Sequence, residues 1–343
     1  MKKLTILLLG AGFALWLNES WAQVPAAVQQ SESMQQRREL EQAAQAAESG
    51  EVAPDLFAGE SRDVGPQTIL KFKPRKAYFE AMADVQYFYT DNMFLAANDQ
   101  QSADVLVSTV QFALAPTPYG LGDGQFAPRL GFRQEWWDFG LASDKEILVY
   151  DFATASLRPA PLNEFNFNVQ TVFADGQWRR GNWIFEAGVD FQRLLDAEHD
   201  DQFYQEAVPR WGVQRLFPLG ERSTLVLGYA GDYRFTDTDL PPPTFGHDFN
   251  NRTDHSVFLT YTLAVCRNAL VQPYYRYQYT HFTAGEKRDD NLNSFGLALY
   301  CYFTSYISAR AFVGYDIMNT TSARVPDYNQ FDGGGGVNVT IRF

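Results

Sequence analysis

Apolar and polar side chains alternate along most of the chain from Tyr78 onward. In residues 165–170 every aromatic or aliphatic side chain occupies one face of an extended chain, and every amide occupies the other. Residues 307–317 follow the same period, with mostly serine, arginine, glycine or aspartate on the second face. Successive side chains of a β-strand point to opposite faces, so this pattern predicts a sheet with one apolar and one polar face.

Polar stretches and turn residues divide this region into twelve predicted strands, most of them between 11 and 15 residues long. A soluble sandwich also alternates, but its strands usually have about five or six residues, whereas a tilted strand needs roughly 9–11 to cross a bilayer. The predicted strands are residues 78–91, 103–116, 125–139, 162–174, 182–194, 203–218, 223–236, 255–266, 269–282, 292–304, 306–318 and 333–343.

The connections between these strands alternate in length, which is typical of outer-membrane barrels. Aromatic side chains near the strand ends, such as Trp136, Trp137, Trp178 and Trp183, suit the interfacial girdles of such barrels. The long connections are residues 92–102, 140–161, 195–202, 237–254, 283–291 and 319–332, and most of the others have seven residues or fewer. The apolar segment 145–150 is expected to fold inward as a constriction, to form a short helix or to be a thirteenth strand.

The first residues have the features of a secretory signal peptide. Lys2 and Lys3 precede an apolar segment, residues 4–17, that is too short for a stable transmembrane helix. The sequence Ser-Trp-Ala at residues 20–22 places small residues where signal peptidase cuts. We therefore expect residues 1–22 to be a signal peptide.

Residues 23–76 are predicted to form a helical or disordered periplasmic tail, followed by a barrel domain of residues 77–343. Residues 27–49 are rich in Gln, Glu and Ala and have only a weak apolar stripe, and Gly50 would end a helix there. The alternative is a helix that enters a pore or touches a partner, whose identity the sequence does not indicate. The stripe consists of Val28, Leu40, Ala43, Ala44 and Ala47.

The last strand, residues 337–343, alternates and finishes on Phe343. It resembles the signal by which the barrel assembly machinery recognises outer-membrane proteins. Residues 89–95 and 273–277 are similar to segments of porin-type β-barrel families of Gram-negative bacteria. The resemblance covers roughly residues 78–343. It implies an all-β, transmembrane, antiparallel up-and-down barrel of about twelve strands that contacts outer-membrane lipid.

If the apolar face of this barrel meets lipid, the polar face lines the lumen. Arginine pairs with carboxylates through two hydrogen bonds and stays charged when partly buried, so such a lining is chemically coherent. The charges either select permeating ions or only pair with one another and brace the interior. The predicted lining residues are Glu80, Asp84, Arg129, Arg133, Glu135, Glu164, Glu186, Asp190, Arg210, Asp232, Arg234, Arg276, Arg310 and Asp316, together with Arg342 and the amides Asn166, Asn168, Gln170, Gln214, Gln272 and Gln278.

The chain is acidic, with 41 Asp and Glu against 28 Lys and Arg and a formal net charge of -13. Such a balance argues against nucleic acid as a partner, because nucleic-acid binding needs a basic face. Carboxylates cluster in two predicted outer loops, where a solvated surface is favoured over a Ca²⁺ site because no twelve-residue ligand loop is present. These carboxylates are Asp196, Glu198, Asp200 and Asp201 in one loop and Asp237, Asp239, Asp248 and Asp254 in the other.

The sequence contains no recognisable catalytic or metal-binding motif. His255 and Ser256 are adjacent on a predicted strand and therefore face opposite sides, which prevents a nucleophile–base contact. Cys266 and Cys301 lie two strands apart, about 9.5 Å, beyond the roughly 7 Å limit for a disulfide. We expect no enzymatic activity, no cofactor, no metal and no disulfide.

The expected function is passive diffusion of small hydrophilic solutes or ions across the outer membrane. The alternative is a non-transporting barrel that serves as a structural envelope protein or an accessory to export, with the N-terminal tail as its partner contact. A third possibility, an outer-membrane hydrolase, is disfavoured by the missing catalytic residues.

Overall fold

The computed structural model describes residues 26–35, 38, 77–141, 145–151, 156–238 and 246–343. The predicted signal peptide lies outside these residues. Besides a helical N-terminal segment, the described chain forms fifteen strands: β1 (Phe79–Thr90), β2 (Ala103–Leu114), β3 (Tyr119–Leu121), β4 (Gly124–Phe139), β5 (Glu146–Asp151), β6 (Ser156–Pro161), β7 (Phe167–Arg180), β8 (Trp183–Asp196), β9 (Gln202–Pro218), β10 (Ser223–Thr238), β11 (Arg252–Cys266), β12 (Ala269–Phe282), β13 (Asp289–Tyr302), β14 (Ile307–Thr320) and β15 (Tyr328–Arg342).

Twelve of these strands close into one antiparallel barrel. Each barrel strand pairs with its neighbours in sequence, β2 pairs with β4, and β15 closes the ring against β1, where Val85 lies opposite Val337. Closure leaves no free sheet edge, and every strand satisfies its backbone hydrogen bonds with two neighbours, which is the condition for spanning lipid with strands. The predicted up-and-down barrel of twelve strands is confirmed.

The remaining three strands lie outside the barrel wall. The short strand β3 pairs only with the first residues of β4, and β5 and β6 form a separate hairpin. Residues 145–150, for which a constriction, a helix or a thirteenth barrel strand was expected, belong to this hairpin. The 3₁₀ helix Leu162–Phe165, which follows the hairpin, occupies the start of the predicted strand 162–174, so that β7 begins later and runs on to Arg180.

The outer face of the barrel is apolar and exposed. Val85, Phe112, Val172, Leu227 and Val313 are each between 46% and 60% exposed. Their neighbours along each strand point inward and are largely buried. A closed barrel with this outer band is a transmembrane barrel.

The two ends of the barrel differ. The short turns connect β7 to β8, β9 to β10, β11 to β12 and β13 to β14, and both ends of the barrel sequence lie on that side. We call this side the short-turn end and the other the long-loop end; in bacterial barrels they face the periplasm and the exterior respectively. Cys266 and Cys301 are both free and are separated by Ala269 of β12, in line with the expected absence of a disulfide.

Candidate functional site in the barrel lumen

An N-terminal helix lies inside the barrel. Residues 26–35 and residue 38 are helical, and their side chains contact inward-facing groups of strands that lie on different sides of the lumen. Met34 is only 2% exposed, which requires wall on the side that it faces. The described residues of the predicted tail therefore lie in the lumen as a helix; residues 23–25, 36–37 and 39–76 lie outside the described chain, and the assignment of residues 23–76 as one segment stays a prediction. No helix within the described residues is long and apolar enough to cross a membrane.

The helix runs from the long-loop end toward the middle of the barrel. Near its start, Ala26 packs in a cluster with Tyr328, and Gln30 donates a hydrogen bond of 2.8 Å to the backbone oxygen of Met93 in the loop after β1. At its other end, Arg38 donates a hydrogen bond of 2.9 Å to Thr109 in the interior of β2. The helix thus occupies the outer half of the lumen.

One side of the helix packs on an apolar patch of the inner wall. Val28 and Met34 contact this patch, which is made by the long-loop halves of β1, β2, β4 and β7. Apolar side chains on a lumen wall are costly in water, and the helix removes them from it. The wall residues of the patch on these four strands are Phe88, Ala103, Val105, Val107, Trp137, Phe139, Phe167 and Val169, and the patch also includes Leu194 of β8 and Tyr204 of β9.

This patch corrects two predictions about faces. On β7 the apolar residues Phe167 and Val169 face inward, so Asn168 and Gln170 lie on the outer face. Trp136 is on the outer surface and 40% exposed, whereas Trp137 is buried in the patch and cannot serve in an interfacial girdle. The other amide predicted in this segment, Asn166, precedes β7, and its side-chain oxygen accepts a hydrogen bond of 2.8 Å from the backbone N–H of Phe139.

The opposite side of the helix is held by charge. Glu32 forms ion pairs with two wall arginines, Arg234 of β10 at 3.1 Å and Arg252 of β11. Arg234 also contacts Glu206 at 2.9 Å and Asp254 at 3.0 Å. All these side chains are at least nine-tenths buried, so they interact in a medium where ion pairs are strong and unpaired charges are costly.

A second ion pair holds the end of the helix that lies near the middle of the barrel. Arg38 contacts Glu135 of β4, which also accepts contacts from Arg133 at 2.9 Å and from the indole nitrogen of Trp137 at 3.2 Å. Between the two ion pairs, Gln192 of β8 donates a hydrogen bond of 3.2 Å to Ser31. The helix is therefore held by polar contacts to β4, β8, β10 and β11 and by apolar packing on the patch.

The structure places all but one of the predicted charged lining residues on the inner face. Glu80, Asp84 and Arg276 are buried there, while Glu186 and Arg276 border a polar cavity beside Glu32. Further ion pairs among the described wall residues include Arg129 with Asp175, Arg210 with Asp175 and Asp190, Arg234 with Asp232, Arg310 with Asp84 and Arg342 with Glu80; Asp316 lies on the inner face of β14.

Glu164 is the exception. It lies in the 3₁₀ helix before β7, and its carboxylate pairs with Arg158 of β6 at 2.6 Å. Both side chains are exposed in the long-loop region, so Glu164 does not line the wall. Because residues 162–165 form this 3₁₀ helix and β7 begins only at Phe167, Glu164 precedes the barrel strand.

Sequence reasoning missed several wall carboxylates and arginines, among them Asp175, Glu206, Arg252 and Asp254. Asp254 was assigned to an acidic outer loop, but it is 4% exposed in the lumen because β11 begins at Arg252. The alternation of Arg252, Asp254 and Ser256 with their neighbours was the available signal, and it identifies these residues as one inner face.

Phe343, the predicted assembly signal, lies at the seam of the barrel. Its backbone oxygen accepts hydrogen bonds of 2.9 Å from Tyr78 and Phe79, and its ring stacks on Phe79 with 5.9 Å between centroids. The ring is 65% exposed on the outer surface at the short-turn end. Recognition by the assembly machinery stays a prediction.

The histidines and acidic side chains of the described chain do not gather into a metal centre. No group of three or more His, Cys, Asp or Glu within these residues is arranged to hold a metal ion. His255 faces outward and its imidazole is 2.8 Å from the hydroxyl of Tyr229, whereas the adjacent Ser256 is buried on the inner face. The expected separation of His255 and Ser256 is confirmed.

No protein-family model and no curated protein matches the sequence. Similar solved structures include an outer membrane channel from Pseudomonas putida F1, with a TM-score of 0.49, 14% identity, and coverage of 77% of this chain and 96% of that one. The transport unit of the autotransporter AIDA-I from Escherichia coli has a TM-score of 0.47 and 10% identity, and covers 79% and 93%. The translocator domain of the autotransporter NalP from Neisseria meningitidis has a TM-score of 0.40 and 13% identity, and covers 91% and 97%.

At these identities and TM-scores the likeness is general, and the fold is established by the strand pairing of this chain itself. The closed ring of twelve strands, the apolar outer band and the polar lumen make this chain an outer-membrane β-barrel, as the resemblance to porin-type barrels implied.

Proposed function

We propose that the protein is a porin-like channel for small hydrophilic solutes or ions, and that its N-terminal helix holds the channel closed. The observation that carries this proposal is the helix itself, seated in a polar lumen by the contacts of Glu32 and Arg38. A helix with its side chains is about 10–12 Å wide. Its withdrawal would therefore leave an opening of that order, wide enough for hydrated ions and small solutes.

The ion pairs of the wall are arranged so that Arg234 and Glu135 would not be left unpaired if the helix left the lumen. Arg234 retains Glu206 and Asp254 as partners when Glu32 is gone, and Glu135 retains Arg133 when Arg38 is gone. Removing one partner of a buried ion pair is costly mainly because the other charge is left unpaired. Since the wall supplies second partners at both ion pairs, this cost is reduced, and docking of the helix is reversible in our proposal.

The charged inner face then acts as an electrostatic lining. Arg210, Asp232 and Arg276 border the polar cavity next to the helix, on the path that a solute would follow. Rings of charged side chains are a common way for pores to choose among ions. In this proposal the barrel has no catalytic role and needs no cofactor.

One observation favours the second candidate, a non-transporting barrel. The apolar patch on the wall would face water if the helix left, and Val105 and Val107 are fully buried while it stays. A helix that never leaves would make the protein a permanently closed structural or export-accessory barrel. The two candidates differ in whether the lumen can open.

Conductance in planar lipid bilayers separates the two candidates. A variant that lacks residues 26–38 is compared with the full chain, and its heat-dependent migration in gels shows that the barrel is folded. A channel predicts sparse openings for the full chain and steady conductance for the variant. A folded variant that does not conduct would contradict the proposed channel and support the structural barrel.

A further inference from the structure

We propose that the outer surface of the barrel binds an anionic phospholipid through a cluster of aromatic and arginine side chains at the short-turn end of β7, β8 and β9. The aromatic–arginine cluster consists of Trp178, Trp183, Phe185, Arg215 and Phe217. All of these side chains except that of Phe217 border a concave surface beside the turn between β7 and β8.

The cluster is ordered by strand pairing. Trp183 lies opposite Arg215, and Trp178 lies opposite Phe185, so all four project from the same face of adjacent strands. The ring centroids of Trp178 and Phe185 are 5.5 Å apart, and those of Trp183 and Phe185 are 6.2 Å apart. These residues alternate with inward-facing ones such as Ile184 and Gln214, so the cluster is on the lipid side.

Arg215 is the charged centre of the cluster. Its guanidinium carbon lies 5.0 Å from the ring centroid of Trp183 and 4.8 Å from that of Phe217. Within the described part of the chain it contacts these rings and no carboxylate, whereas the nearby Arg180 pairs with Asp123. The rings hold the guanidinium by cation–π attraction and leave its hydrogen-bond donors available.

The position of this charge indicates its ligand. An arginine on the lipid face is costly at the bilayer midplane, and this cost falls toward the interface, where tryptophan also prefers to lie. Trp183 begins β8 and Arg215 is three residues from the end of β9, so the cluster is at the interface on the short-turn side. In the outer membrane that side faces the periplasmic leaflet, which consists of phospholipids.

A phospholipid matches both parts of the cluster. A guanidinium binds a phosphate through two parallel hydrogen bonds, which a compact ammonium group does not provide. The rings of Trp178 and Phe185 lie beside it and offer an apolar surface to the first acyl segments. An anionic headgroup also avoids the second positive charge that a zwitterionic headgroup would bring near Arg215.

The proposal is tested by native mass spectrometry of the full-length protein released from mixed micelles that contain equal amounts of phosphatidylglycerol and phosphatidylcholine. We expect the wild-type protein to retain phosphatidylglycerol preferentially and Arg215→Gln to reduce its retention about fivefold or more. Arg222→Gln is the matched control, because it removes a positive charge from a turn at the same end, outside the cluster. It should retain the lipid as the wild type does.

A separate arm adds inorganic phosphate in excess during release. Retention that persists shows that the acyl chains contribute to binding, as expected for a lipid site, whereas complete displacement would show a phosphate site and overturn the lipid assignment. Gel migration with and without heating shows that each variant is folded. The proposal would be overturned if the wild type and a folded Arg215→Gln variant retained the same amount of phosphatidylglycerol. It would also be overturned if Arg222→Gln lost as much of this lipid as Arg215→Gln does.

Discussion

The carboxylate of Glu32 lies 3.1 Å from the guanidinium of Arg234, and this contact joins the N-terminal helix to the barrel wall. The two residues are 202 positions apart in the chain, and both side chains are only 7% exposed. Arg234 has two further carboxylates from the wall within 3.0 Å. Arg234 is therefore a partner of both the helix and the wall. Its contact with Glu32 is buried and strong, and Arg234 keeps wall carboxylates as partners if the helix leaves.

Glu32→Gln should loosen the helix without disturbing the barrel. The substitution keeps the shape but removes the charge that faces Arg234 and Arg252, at a cost of about 1–3 kcal/mol in helix docking. In a chain with Cys266 and Cys301 replaced by Ala, a thiol introduced by Ser31→Cys should react with a hydrophilic maleimide roughly tenfold faster or more. Glu164→Gln, at an exposed ion pair away from the helix, is the control and should leave the rate unchanged.

Met34→Ala tests the apolar side of the same helix. Met34 is buried against the wall patch, and truncation of a buried Met typically costs about 2–5 kcal/mol, so docking should weaken at least as much as in Glu32→Gln. The same labelling reaction at Ser31→Cys measures this. An unchanged labelling rate would mean that the helix does not rest on the patch.

Arg310→Ala tests the charge pairs of the wall. Arg310 of β14 holds Asp84 of β1 with two hydrogen bonds of 2.8 Å, reaching across Gly336 of β15. Glycine at position 336 lets β15 lie close to β1, because a β-carbon there would lie only 2.8 Å from the backbone oxygen of Val85. Removing the guanidinium leaves the carboxylate buried and unpaired, at a cost of about 3–5 kcal/mol.

The thermal midpoint of the Arg310→Ala barrel should therefore fall. Adding Asp84→Asn should restore much of the loss, because the second substitution removes the unpaired charge. If Arg310→Ala is neutral for stability, this pair does not brace the wall and is free to act on permeating ions alone.

Val313→Arg tests which face meets lipid. Val313 is 46% exposed on β14, three residues from the inward-facing Arg310, and an arginine near the bilayer midplane costs roughly 2–4 kcal/mol. We expect less folded protein in the outer membrane and a lower unfolding midpoint in lipid. Ser308→Arg, on the inner face of the same strand, is the matched control and should assemble normally.

The barrel is predictable from sequence because lipid demands an apolar group at every second position of each strand. β1, β12 and β14 accordingly begin and end within two residues of their predicted bounds. Alternation does not say which face is inside where a strand packs on something besides lipid. On β7 the apolar residues Phe167 and Val169 face inward because the helix covers them.

The position of the helix was not predictable because its contacts are distant in sequence and its apolar stripe is weak. Glu32 and Arg252 are 220 positions apart, and their pairing leaves no local signal. Val28 belonged to the predicted stripe, but Met34 did not, although it is the most buried apolar side chain of the helix. Glu164 was misplaced for a different reason, since the alternation of Phe165, Asn166 and Phe167 extends the pattern of β7 backward into residues that form a 3₁₀ helix.

The most direct test of the closed channel is a reversible crosslink between helix and wall. Ser31 and Gln192 are joined by a hydrogen bond of 3.2 Å, so Ser31→Cys and Gln192→Cys in the cysteine-free chain bring two thiols within reach of a short reducible bis-methanethiosulfonate. Single-channel conductance is recorded before and after reduction, with Ser31→Cys alone as the control. We predict that the crosslinked barrel stays closed and that channel openings appear once the linker is reduced. The same conductance before and after reduction would contradict the proposal that the helix closes the channel.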